Sequence, residues 1–234
     1  EMLRSLVGSE MCIRDRPIIY TPENPTYPIL DPHIAADIPE DLTLLKTKIF
    51  EPYALASLFS KEKTQKISAG IIPTKKPSLL DKLLLWIRGN LFIPDARVLW
   101  VRPSVKYLSE YLTEHPIDTI ITTAPPHSLH FIGLRLKEKF PSLRWIADFR
   151  DPWTTIGYHS QLRLTKRSAR KHLAMERTVL QTADTLIVTS PSTQREFQAK
   201  TSRPIEVITN GYDDDFPTQT PSLSPYFLLS HIGS

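Results

Sequence analysis

Asp148, Arg150 and Asp151 crowd two carboxylates and a guanidinium into the segment WIADFRDPW, which ends at Trp153. Residues two apart on an extended segment share a face, so Asp148 and Arg150 should point together while Asp151 points away. A guanidinium so placed can hold a phosphate through two parallel hydrogen bonds. A neighbouring carboxylate can bind sugar hydroxyls or take a proton. The same residues could instead form an ion pair that merely pins the turn. The candidate catalytic set is therefore Asp151, Asp148 and Arg150.

Two further turns carry chemistry. The apolar run Ile117 to Ile121 ends in Thr122-Thr123-Ala124-Pro125-Pro126-His127-Ser128. A helix follows, and its free amide ends would favour an anion beside His127 and Ser128. Ser128 could equally be an N-cap. Downstream, Asn210-Gly211 follows the run Ile205 to Ile208, and Asn-Gly is a strong turn signal. The candidate substrate-binding set is His127, Ser128, Trp153, Asn210 and Gly211. Asp213-Asp214-Asp215 has the look of a metal-binding acidic cluster, but no second cluster completes an oxygen shell. A solvated acidic turn is expected there, and no metal.

The elements that must position these groups follow from hydrophobic periodicity. Strands are expected at Pro17–Tyr20, Thr43–Thr47, Ile117–Thr122, Leu143–Asp148, Thr185–Thr189 and Ile205–Ile208. Most are short and continuously apolar, as in a strand covered on both faces. Helical spacing marks Leu79–Phe92, Ser104–Glu114, Ser128–Phe140, Arg163–Thr182 and Ser192–Lys200. Ser190 and Pro191 read as a cap and first helical residue. Alternating strands and helices predict right-handed crossovers in an α/β, Rossmann-like, doubly wound and mostly parallel sheet. In such sheets ligands bind beyond the carboxyl ends of the strands, where Asp148, Arg150, His127 and Asn210 all fall. The helix from Leu79 carries Trp86, Leu83, Lys82 and Arg88 and suits either a core position or a membrane face.

Composition bounds the partners. The 234-residue chain has a formal net charge of +4, with 21 prolines against 7 glycines. Its pI near 9.1 permits nucleic acid, yet basic residues are scattered and nucleic-acid-binding motifs are absent, so none is expected as a partner. The one cysteine, Cys12, excludes a disulfide framework and a cysteine-rich zinc site. No G-x-G-x-x-G, Walker loop, G-x-S-x-G elbow or H-E-x-x-H occurs, which weakens dehydrogenase, NTPase, esterase and metalloprotease readings. With no secretory signal and no long apolar run, a cytoplasmic protein is expected, either free or in peripheral contact with the inner membrane.

Residues 1–16 share no pattern with the rest of the chain, and SLVGSEMCIRDR resembles a translated sequencing adapter, so they are read as a non-native leader. Residues 17–216 form the expected Rossmann-like domain, lacking its first strand. Residues 217–225 have linker composition, and 226–234 read as the start of a second domain.

The ordered series PIIYTPENPTYPILDP, ITTAPPHSLHFIGLRLKEKFP, WIADFRDPW, LIVTSPST and VITNGYDDDF resembles the amino-terminal half of bacterial family-4-like glycosyltransferases. The resemblance implies one lobe of a two-lobed GT-B fold, the lobe that binds the acceptor. It implies a nucleotide-sugar co-substrate held mainly by the other lobe, a glycan or lipid-linked acceptor, and no metal or other cofactor. It places Asp148 to Asp151 in the loop facing the reacting sugar, Pro125 to Ser128 in a cleft-lining turn, and Asn210-Gly211 at the exit to the second lobe. Many relatives carry His-Asp where this chain has Arg150-Asp151, so that histidine's role does not transfer. A sugar-nucleotide epimerase on the same scaffold and a non-catalytic Rossmann-like binding module are the alternatives.

Overall fold

The computed structural model describes residues 17–25, 42–50 and 79–211. The leader 1–16, the acidic turn Asp213 to Asp215, the linker 217–225 and the segment 226–234 lie outside the described residues. In chain order the elements are β1 (Ile18–Pro22), β2 (Thr43–Thr47), α1 (Leu79–Leu91), α2 (Val101–Glu114), β3 (Thr119–Ala124) and α3 (Ser128–Lys139). They continue with β4 (Arg144–Phe149), α4 (Lys166–Thr182), β5 (Thr185–Val188), α5 (Pro191–Gln198) and β6 (Ile205–Val207). Two 3-10 turns, Ala96–Trp100 and Gly157–Leu162, precede α2 and α4.

Strands β3-β4-β5-β6 form one sheet in that order, and β1 pairs with β2 in a second; every pairing is parallel. Sequential parallel neighbours joined by helices require crossovers of one hand, which stack α3, α4 and α5 on one face. That face is the main core. Trp145, Ala147 and Phe149 of β4 meet Leu134 of α3, Val179 and Leu180 of α4, and Phe197 of α5, all buried. On the opposite face Ile121 is 54 % exposed, so this sheet is covered unevenly. A smaller cluster around Trp100, Ile132 and Leu136 joins the β1–β2 pair to the rest. Tyr20 stacks on Trp100 with centroids 5.0 Å apart, and its hydroxyl donates to Ser104 Oγ at 2.9 Å.

The expected parallel α/β, Rossmann-like lobe is what forms, and several boundaries move for local reasons. β3 runs on past the expected end at Thr122 through Thr123 to Ala124, because ladder pairing with β4 needs backbone, not apolar side chains. α2 begins at Val101, since Pro103 falls in the first turn, where its missing N–H costs nothing. α4 begins at Lys166 because Arg163 is left-handed (φ 51°) and Thr165 caps the helix by accepting from the Ser168 N–H. Ser190 and Pro191 cap and open α5 as expected.

Candidate functional site

The carboxyl ends of β3, β4 and β5 hold the Asp148–Trp153 segment in place through backbone. Arg150 N–H donates to Ala124 O at 2.9 Å, extending the β3–β4 ladder by one residue. The Thr189 hydroxyl donates to Arg150 O at 3.0 Å. With its backbone tied on both sides, the Arg150 side chain reaches two groups. Its Nη1 lies 3.7 Å from Asp148 Oδ1, and its Nη2 donates to Asn210 Oδ1. Asp148, Arg150 and Asn210 thus converge from two strand ends, 60 residues apart in the chain at their widest hydrogen bond.

Asp148 is buried beside this guanidinium, and its Oδ1 has no hydrogen-bond partner. Burial pushes its pKa up, opposed by the charge of Arg150 and by the Thr123 hydroxyl. Arg150 keeps 29 % of its side chain exposed, enough to meet an anion from solvent. Asp151 is half-buried and has neither a hydrogen bond nor an ion pair with a described residue. Gly211 is exposed, with open space where a side chain would stand.

His127, Ser128 and Trp153 are packed beneath the turn. The His127 ring lies on the Trp153 indole, centroids 4.6 Å apart, and neither ring nitrogen has a hydrogen-bond partner. Burial, with smaller contributions from His172 and His159, lowers its pKa to about 3. It is therefore neutral at physiological pH. Trp153 Nε1 donates to His172 Nδ1 at 3.3 Å, which leaves the His172 proton on Nε2.

The amino end of α3 is already occupied by a carboxyl group of the chain itself, whose pKa burial raises. Asp95 Oδ2 accepts from Ser128 N–H at 2.7 Å while its Oδ1 accepts from Arg97 N–H at 2.9 Å. His127, not Ser128, is the N-cap residue, and it makes no side-chain cap bond. The acceptor for the first free amide of this helix is thus Asp95.

Sequence reasoning did not single out Asp95, His172 or Glu176. Glu176 Oε1 accepts from Thr154 N–H at 3.0 Å, its Oε2 accepts from the Thr154 hydroxyl at 3.0 Å, and Lys200 Nζ lies 3.0 Å from Oε2. It fixes the residue immediately after Trp153. One signal was available: Glu176 is the single carboxylate of the otherwise basic α4, four residues after His172 and so on the same helix face. Locally Asp95 is marked only as the cap of the 3-10 turn that follows it, and its second partner, Ser128, is 33 residues away. A groove of about 430 Å3, bounded by Val101, Val105, Phe131 and Met175, opens among α2, α3 and α4. Among the described residues no three His, Cys, Asp or Glu side chains are grouped to hold a metal, and no helix is long and apolar enough to cross a membrane.

Parallel strands, helical crossovers and ionisable groups beyond the strand ends define a Rossmann-like α/β lobe with its candidate site at the carboxyl edge. The family model for Glycosyltransferase Family 4 matches residues 71–216, which is more than half of the chain and spans α1 to β6. The chain belongs to glycosyltransferase family 4. Neither a curated protein nor a solved structure matches it.

Proposed function

We propose that this chain forms the acceptor-side lobe of a retaining hexosyltransferase that moves a sugar from a nucleotide-sugar to a cell-surface glycan or lipid-linked acceptor. The convergence of Asp148, Arg150 and Asn210 at the carboxyl edge carries the reading, because it presents a fixed guanidinium beside carboxylates. In the transfer the bond from the anomeric carbon to the nucleotide phosphate breaks. A bond to the acceptor oxygen forms, and the acceptor hydroxyl loses its proton. Arg150 is suited to stabilise phosphate or developing negative charge. Asp151, free of other partners among the described residues, is suited to hold the acceptor hydroxyl or take its proton. Asp148 holds Arg150 in position. Neither a metal nor another cofactor is invoked; the nucleotide-sugar is a co-substrate, bound mainly by a second lobe.

The test uses the product of the complete gene, assayed for nucleotide-sugar consumption with membrane-extract acceptors. Arg150→Ala and Asp151→Ala should each lower turnover at least tenfold, about 1.4 kcal/mol of barrier. Unchanged turnover in both removes these residues from the site. Release of an epimerised sugar without acceptor identifies an epimerase instead, and binding without turnover of any common donor a non-catalytic module.

A further inference from the structure

Two carboxylates from different helices close on the residues that follow Asp151. Glu176 of α4 is 1 % exposed, and both its oxygens are directed at Thr154. Oε1 accepts from the Thr154 N–H at 3.0 Å and Oε2 from the hydroxyl at 3.0 Å. Glu196 of α5 accepts from the Thr155 hydroxyl at 2.9 Å. Lys200, just beyond α5, stands between the two acids, 3.0 Å from Glu176 Oε2 and 2.6 Å from Glu196 Oε1. One ammonium thus offsets the mutual repulsion of the carboxylates and holds them over consecutive residues of the loop.

A buried carboxylate needs a reason. Burial of a charge is costly, and an apolar side chain would pack α4 against this loop as well or better. What an apolar side chain cannot do is accept from one chosen backbone N–H. On the other side of Asp151, Arg150 is tied through its N–H to Ala124 O and through its carbonyl to Thr189. Trp153 is tied less fully. Its stack on His127 resists tilting but not sliding in the plane of the rings, and the bond from its indole N–H to His172 is long at 3.3 Å. Thr154 supplies the missing restraint. Between the tied residues Arg150 and Thr154 stand only Asp151, Pro152 and Trp153, and the proline ring fixes its own φ. The Asp151 side chain has no partner among the described residues, so its position is set by this backbone alone.

We propose that Glu176, clamped by Lys200 and acting through Thr154, is the positioning residue that holds Asp151 at the acceptor hydroxyl. The inference rests on the reading of Asp151, given above, as the group that meets that hydroxyl. A displacement of about 1 Å can cost a reaction roughly 100-fold. Release of the loop at Thr154 should therefore slow transfer while leaving donor affinity intact, since the donor is bound mainly by the second lobe.

The test is a double-mutant cycle on the product of the complete gene, run at a temperature where circular dichroism shows every variant folded. Glu176→Ala should lower kcat about tenfold with the donor KM unchanged. Glu176→Gln keeps a carbonyl acceptor for Thr154 and should recover most of that loss. In an Asp151→Ala background, Glu176→Ala should cost less than about twofold further, because residues acting as one unit do not add. If Glu176→Ala does not fold, Thr154→Val takes its place, removing only the hydroxyl bond, and should lower kcat roughly threefold in the wild type and hardly at all beside Asp151→Ala. Equal losses in both backgrounds, a raised donor KM, or no recovery with glutamine would overturn the positioning role while leaving Asp151 in the site. Full turnover in Asp151→Ala, or none in the wild type, would overturn the reading of Asp151 and the positioning role with it.

Discussion

His127 and Trp153 lie face to face, their planes 1° from parallel, and this stack joins the turn before α3 to the loop after β4. The indole also meets Phe131 and His172 at right angles, and His159 packs edge-on against His172 in turn. Five buried or half-buried rings therefore underlie the candidate site, and their stability depends on the histidines remaining neutral.

Acid should loosen this layer. The pKa of His127 is lowered to about 3 and that of His172 to about 4, each chiefly by burial, against an ordinary value of 6.5. Below about pH 6.5 the unfolded chain binds protons that the folded chain refuses, so stability is full above that pH and falls as the pH drops. The expected slope is up to about 1.4 kcal/mol per pH unit for each histidine. Thermal denaturation between about pH 7.5 and pH 5 measures it, with the window set by ordinary histidine titration. His127→Gln should flatten the profile. An unchanged profile in that variant would show that His127 titrates normally.

Glu176 should matter more for stability than a lone acid on a basic helix suggests. Removing its side chain by Glu176→Ala leaves the Thr154 N–H without its acceptor and takes one of two carboxylates from Lys200. Breaking a buried pair in this way costs about 3 kcal/mol or more. For a chain of this size that lowers the Tm by roughly 6–12 °C. Glu176→Gln keeps an acceptor for Thr154 and should lose less. A calorimetric scan that finds the alanine variant as stable as the wild type would remove Glu176 from this role.

The strands of the lobe were legible because β4 and β5 are short apolar runs bounded by charged or turn residues, and a covered parallel strand needs little more. The helices were legible for the same reason, down to the Ser190-Pro191 start of α5. The ends were less so. Whether Thr123 and Ala124 belong to β3 is decided by pairing with β4, which side-chain type does not report. At the site, the period-two rule placed Asp148 and Arg150 together, and they are 3.7 Å apart. The Arg150–Asn210 bond was hidden, because it depends on β4 and β6 ending at the same edge. Most obscured was the depth of His127 and Trp153. Polar-looking turn residues gave no sign that an aromatic stack buries them.

Asp95 offers a test of how the α3 start is held. Asp95→Ala should cost about 0.5–2 kcal/mol through loss of the Ser128 cap, while Asp95→Asn keeps part of it. Because Ser128 adjoins His127, amide exchange in the first turn of α3 should quicken in the alanine variant. Exchange at wild-type rates there would mean that another group caps the helix.

The Asp148–Arg150 pair separates a structural from a catalytic role. In Arg150→Ala the Asp148 carboxylate stays buried and loses its nearest opposing charge, so its pKa should rise further. A carboxyl whose folded pKa stands above its unfolded value stabilises the protonated folded state. Stability should therefore increase as the pH falls from that raised pKa towards the ordinary carboxyl range, and decrease as the pH rises back through it. This trend runs opposite to the histidine effect, so it should appear as a difference between variant and wild-type denaturation profiles. Adding Asp148→Asn to Arg150→Ala should abolish that difference, because an amide does not titrate, while leaving any loss of turnover in place. If the double variant regains turnover, Arg150 acts only by neutralising Asp148; if turnover stays low with stability restored, its guanidinium meets the substrate.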